Sequence, residues 1–69
     1  MGSPVCEEFG RNLRAIRRSK GLSQERLAHE AGIDRSYLGK IERGEVNVTI
    51  EKIYQLADHL HCSPKDLLT

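Results

Sequence analysis

Residues Ser23 to Gly44 read SQERLAHEAGIDRSYLGKIERG. Leu27, Ala28 and Ala31 recur at helical spacing and make one apolar stripe. Ser23 stands where an N-cap hydroxyl accepts from an orphan N–H of the first turn. Gly32 ends that helix, since a helix often closes on a residue at positive φ. Ile33 is an apolar plug in the turn, and Asp34 is a second N-cap. Leu38 and Ile41 give the second helix its buried side, and Gly44 closes it. The pattern predicts helices over 24–31 and 35–42, crossing at a steep angle through a short glycine-containing turn.

Two helices joined in this way form a helix-turn-helix, whose second helix is free to enter a DNA major groove. Its outward side carries Arg35, Ser36, Gly39, Lys40 and Arg43. These are donors and small residues, as base edges and phosphates require.

The flanking sequence completes an all-α domain. A first helix is expected from Cys6 to Lys20, with Phe9, Leu13 and Ile16 buried and Gly21 at its end. Residues 1–5 have no periodicity and are expected to form a flexible tail, leaving 6–69 as one domain. Leu22 precedes the Ser23 cap and is placed to staple against Leu27. Thr49 caps a fourth helix from Ile50 to Leu60, with Ile50, Ile53, Leu56, Ala57 and Leu60 as its apolar stripe. Ser63-Pro64 opens a fifth, with Asp66 at N3. The expectation is a compact five-helix bundle with the helix-turn-helix at its centre.

Net charge is +1, but it is unevenly distributed. Residues 10–44 hold nine basic and four acidic side chains, net +5, whereas residues 45–69 are net −2. Such a one-sided distribution suits a polyanion. The chain lacks a run of about 18–20 apolar residues, which a membrane-spanning helix needs, and a signal-peptide core. A cytoplasmic location is expected. Cys6 and Cys62 then read as free thiols.

The stretches FGRNLRAIRRSKG (9–21), Ser23 to Gly44 and TIEKIYQLADHLHCSPKDLL (49–68) resemble the phage repressor/Cro type of helix-turn-helix, the Xre-like family. The resemblance implies a lambda-repressor-like DNA-binding domain. Within that family DRSYLGKIERGEVNVTI (34–50) is similar to the controller proteins of restriction-modification systems. It implies that Arg17 forms a partly buried ion pair with Glu42, and that Gln24 bonds a DNA phosphate and braces the reading helix. Where the commoner family residues are serine and proline, this chain has Gly39 and Val48.

The candidate base contacts are Arg35, Ser36, Tyr37 and Lys40. Arg35 can bond guanine bidentately or grip a phosphate. Tyr37 can reach a phosphate, cover a thymine methyl or pack against the second helix. Ser23, Gln24, Arg43 and Asn47 are the candidate phosphate contacts, Arg43 and Asn47 alternatively contacting the groove. Tyr54, Leu67 and Leu68 form a candidate dimer interface, the leucines alternatively closing the protomer's own core. The reading is a sequence-specific transcription regulator that binds a near-palindromic operator on double-stranded DNA as a homodimer. RNA polymerase is a candidate partner, and no small-molecule ligand, cofactor or metal is expected.

Two rivals belong to other classes. One is a protein-interaction module on the same fold, such as an antitoxin or adaptor. The basic outer side of the second motif helix argues against it. The other is a small enzyme or metal protein. His59-Leu60-His61-Cys62 has the residue types of a zinc site without paired ligand spacing, because Leu60 points one way and the histidines diverge. No catalytic constellation is evident, and a chain of 69 residues has little room for a catalytic cleft.

Overall fold

A serine followed by proline starts the first helix of this protein, as it starts the last. The computed structural model describes residues 3–69 and contains α1 (Pro4–Ser19), α2 (Gln24–Ala31), α3 (Arg35–Glu42), α4 (Ile50–His59) and α5 (Pro64–Leu68). The Ser3 hydroxyl accepts from the Cys6 amide at 3.2 Å, with Pro4 at the first helical position. Helix α1 therefore begins two residues before Cys6, and Ser3 to Val5 are a cap and a first turn rather than a tail. Met1 and Gly2, the rest of the expected tail, lie outside the described residues. At α5 the cap is reciprocal: Ser63 accepts from the helix while Asp66 accepts from the Ser63 amide.

The helix stops are equally local. α1, α2, α3 and α4 are each followed by a left-handed residue: Gly21, Gly32, Gly44 and His61. After α1, Leu22 N–H bonds the Arg17 carbonyl and Gly21 N–H that of Arg18; after α3, Glu45 N–H bonds that of Lys40. These are the closing bonds of a Schellman turn, and they recover carbonyls the helix itself leaves unpaired.

Helix α1 packs on α3 and α5, α2 on α3 and α4, and α4 on α5. Phe9 and Leu13 of α1, Leu27 and Ala28 of α2, and Leu38 and Ile41 of α3 meet in one core. Leu56, Ala57, Leu60 and Leu67 complete it. Asn12 ties α1 to α5 by donating to the Leu67 carbonyl at 3.0 Å. One expected burial and one interface assignment fail. Ile50 is 73% exposed. It lies in the first turn of α4, beyond the length of helix that its neighbours cover. Leu67 is fully buried in the protomer's own core, so it presents nothing to a second copy. Of the two readings given to the terminal leucines, core closure holds for Leu67, while Leu68 is exposed.

Two features fix α3 against α1. The first is a close approach at Gly10. A Cβ there would collide with the carbonyl oxygen of Glu42 and stand 2.6 Å from that of Ile41. Only glycine lets the two backbones meet. The second is ionic. Arg17 and Glu42, each 6% exposed, are the buried charged residues of the core. Arg17 Nε donates to Glu42 Oε2 at 2.6 Å and its Nη2 to Oε1 at 3.1 Å. Arg17 Nη1 donates to the Leu22 carbonyl at 2.8 Å, and Gln24 Nε2 donates to Glu42 Oε1 at 2.9 Å. One carboxylate thus joins α1, α2 and α3, and Arg17 ties in the α1–α2 turn. No buried side-chain polar atom among the described residues lacks a partner.

Removing one member of a buried pair strands the other, at a cost of about 3–5 kcal/mol. A domain of 69 residues has about 3–10 kcal/mol in total. Glu42→Ala is therefore expected to bring the fold to the edge of unfolding. Arg17→Met combined with Glu42→Leu is expected to recover much of the loss, because apolar packing replaces both charges. Urea unfolding followed by circular dichroism tests this. A loss below about 1 kcal/mol in Glu42→Ala, the scale of an exposed pair, would contradict it.

Candidate nucleic-acid interface

Helix α3 has two chemically different sides. Leu38, Ile41 and Glu42 are buried, and so is Gly39, which the sequence pattern places on the outward side; Arg35, Ser36 and Lys40 are exposed. The separation follows from an eight-residue helix held by its inner side against both α1 and α2. Asp34 occupies the N-cap position with extended backbone, but its side chain makes no capping bond. The expected second cap is thus positional only.

The proposed base-contact residues do not behave alike. Arg35, Ser36 and Lys40 project to solvent from the first two turns of α3. Tyr37 is half-buried and packs against the hydrophobic core, which leaves only part of its ring outside. Among the residues assigned to phosphate, Ser23 is exposed, and its hydroxyl accepts from the Arg26 amide at 3.0 Å as the α2 cap. Gln24 is half-buried, with its amide nitrogen committed to Glu42. Asn47 is exposed, and its Oδ1 accepts from Cys6 Sγ at 3.1 Å, linking the loop after α3 to the start of α1.

Arg43, at the end of α3, is half-engaged. Its Nε donates to Glu45 Oε2 at 2.7 Å and its Nη2 to Oε1 at 3.4 Å. The bond from Arg43 holds the Glu45 carboxyl below the usual carboxylate range, and the same bond raises the Arg43 guanidinium above its ordinary value. Both groups are therefore fully charged at neutral pH. The pair Arg26–Glu30 at 2.6 Å is a separate i,i+4 contact on exposed α2. There the hydrogen bond from Arg26 lowers the Glu30 carboxyl.

Sequence reasoning found the exposed donors of α3, and the family resemblance supplied the Arg17–Glu42 contact. It missed Gly10 and Glu45. Gly10 lies inside a helix without any local turn signal, and its role needs the position of α3. Glu45 follows a helix end and reads as an ordinary loop charge.

A side that combines exposed arginine, serine and lysine on a rigidly held helix is suited to hydrogen bonding with acceptors along a duplex. Comparison with known proteins agrees. A family model described as Helix-turn-helix (HTH_3) matches residues 13–67. Control protein C.BamHI of Bacillus amyloliquefaciens is 46% identical over 61 residues, which cover 87% of this chain and 75% of the relative. Control protein C.SmaI of Serratia marcescens is 43% identical over 65 residues, covering 94% and 77%. The crystal structure of the restriction-modification controller protein C.AhdI from Aeromonas hydrophila superposes with a TM-score of 0.86 at 48% identity. The match covers 90% of this chain and 94% of that one. The chain belongs to the helix-turn-helix (HTH_3) family of DNA-binding transcription regulators, on the fold and the motif described above.

Proposed function

We propose that this regulator is of the restriction-modification controller type. It binds a near-palindromic operator as a homodimer, with α3 of each protomer in the major groove. The observation that carries this reading is the exposed donor side of α3 opposite a buried, ion-paired side. A prophage-type repressor would use the same geometry, and the neighbouring genes distinguish the two. An adjacent methyltransferase and endonuclease mark a controller. No helix among the described residues is long and apolar enough to cross a membrane, which is compatible with work on DNA in the cytoplasm.

Affinity comes mainly from phosphate neutralisation, and discrimination comes from base edges. Each phosphate neutralised contributes about −0.9 to the slope of log K against log salt. A bidentate arginine–guanine pair discriminates by about 1–3 kcal/mol. Arg35 is the leading candidate for that contact, with Ser36 and Lys40 beside it and Tyr37 lending part of its ring. Ser23, Gln24 and Asn47 flank the groove as phosphate contacts. RNA polymerase, recruited beside the operator, is the partner through which such a regulator would act.

The dimer rests on a separate observation. Tyr54 and Leu68 are 62% and 51% exposed, and Val5 and Ile50 are exposed as well. Val5 and Leu68 border a groove of about 280 Å³ that is also lined by Phe9, Val48 and Ile53. Exposed apolar surface of this kind favours association. The protomer measures 26 × 24 × 21 Å. Two such bodies side by side can set their α3 helices about 34 Å apart, one turn of the duplex.

Selection from a randomised duplex pool supplies the preferred site. Arg35→Ala is expected to reduce the preference for that site over a scrambled duplex at least about fivefold, as loss of a bidentate base contact does. Its circular dichroism spectrum should be unchanged. Equal binding of both duplexes by the wild-type protein would contradict the regulator mechanism. The dimer has its own test. Tyr54→Glu with Leu68→Glu is expected to sediment as a monomer and to bind the selected site more weakly. An unchanged sedimentation coefficient would place the interface elsewhere.

A further inference from the structure

Arg43 is exposed at the C-cap of α3, where sequence alone leaves it a phosphate or groove contact. Its guanidinium has two edges that can meet a planar acceptor. The side edge, Nε with Nη2, is occupied by the Glu45 carboxylate at 2.7 and 3.4 Å. The end edge, which includes Nη1, bonds to no atom of the described residues. Nη1 lies 3.1 Å from the point where a Cβ on Gly39 would stand, and the guanidinium carbon lies 4.0 Å from it. Gln24 Oε1 is 3.9 Å from the same point. The guanidinium therefore lies back against α3 beside the buried Gly39, with Gln24 Oε1 near the same point.

Glu45 is well placed to hold it there. Its amide is tied to the Lys40 carbonyl at 2.9 Å. Gly44, just before it, abuts α1 so tightly that a Cβ would stand 2.6 Å from the Glu7 Cα. The carboxylate thus hangs from a backbone held at Gly44 and at its own amide.

We propose that Arg43 reads a base edge, that Glu45 is the positioning residue that orients its guanidinium, and that Gly39 provides the space for it. This rests on the DNA-regulator reading and refines which residues discriminate. A phosphate grip needs free positive charge, and Glu45 neutralises that charge locally. A fork held by a carboxylate gains little in general attraction and much in direction, because its end edge is left free for two acceptors in one plane. Guanine O6 and N7 form such a pair in the major groove. The absence of a side chain at Gly39, at odds with helix propensity, then has a use.

The test compares the wild-type protein with Arg43→Lys, Arg43→Ala, Glu45→Gln and Gly39→Ala. The probes are the duplex selected from the randomised pool and a scrambled duplex, over a salt series. Arg43→Lys is expected to lower the selected-to-scrambled preference about tenfold, with scrambled binding and salt slope unchanged, because charge stays and the fork is lost. Glu45→Gln is expected to strengthen scrambled binding while lowering the preference. Gly39→Ala is expected to lower the preference with a Tm equal to or above wild type, a combination that a purely structural role does not produce. The proposal is overturned if Arg43→Lys keeps the preference. It is also overturned if Arg43→Ala weakens both duplexes equally and makes the salt slope shallower by about 0.9 per protomer, the mark of a phosphate contact. A wild-type protein without any preference would overturn the regulator reading and this one together. A wild-type preference that survives Arg43→Lys overturns this one alone.

Discussion

A single buried carboxylate, Glu42, sets the position of the reading helix. In a chain of this size the apolar core is small, and about 40% of the unfolded surface stays exposed after folding. Apolar contacts have no preferred direction, so they hold α3 in place more effectively than they fix its tilt. The bonds from Arg17 and Gln24 do have direction. They arrive from two different helices at one carboxylate. Burying the charges costs free energy that a hydrophobic pair would not. What the pair contributes is orientation. The backbone approach at Gly10 acts with it, because the C-terminal carbonyls of α3 can rest on α1 only where no side chain intervenes.

Function follows from what that constraint leaves outside. With Leu38, Ile41 and Glu42 turned in, the helical period turns Arg35, Ser36 and Lys40 out. The outer residues make little demand on the core. The C-terminal part of the chain has a different task. It closes the core through Leu56, Leu60 and Leu67, and it leaves Tyr54 and Leu68 exposed.

Much of this was legible in the sequence, and the reasons are local. Ser23, Thr49 and Ser63 cap helices, and Gly21, Gly32 and Gly44 end them, through contacts within a few residues. Ser3-Pro4 carries the same signal as Ser63-Pro64, yet without apolar periodicity beside it the stretch reads as a tail. Periodicity also failed where a stripe outran its neighbours, at Ile50, and where a terminal apolar residue had two possible uses, at Leu67. Arg17 and Glu42 lie 25 residues apart, and only family resemblance linked them. Nothing local marks Gly10, whose role depends on where α3 lies; Arg43, Glu45 and Gly39 are near neighbours in the chain, but no periodicity or cap signal singles out their contact.

In the proposed complex α3 enters the major groove with its inner side still clamped by Arg17 and Gln24. A crystal structure of the chain with its selected duplex measures this directly. The expected result has Arg35, Ser36 and Lys40 against base edges and phosphates, with the Arg17–Glu42 and Gln24–Glu42 bonds intact. A complex in which α3 faces away from the duplex, or in which the Glu42 contacts break on binding, would contradict the account.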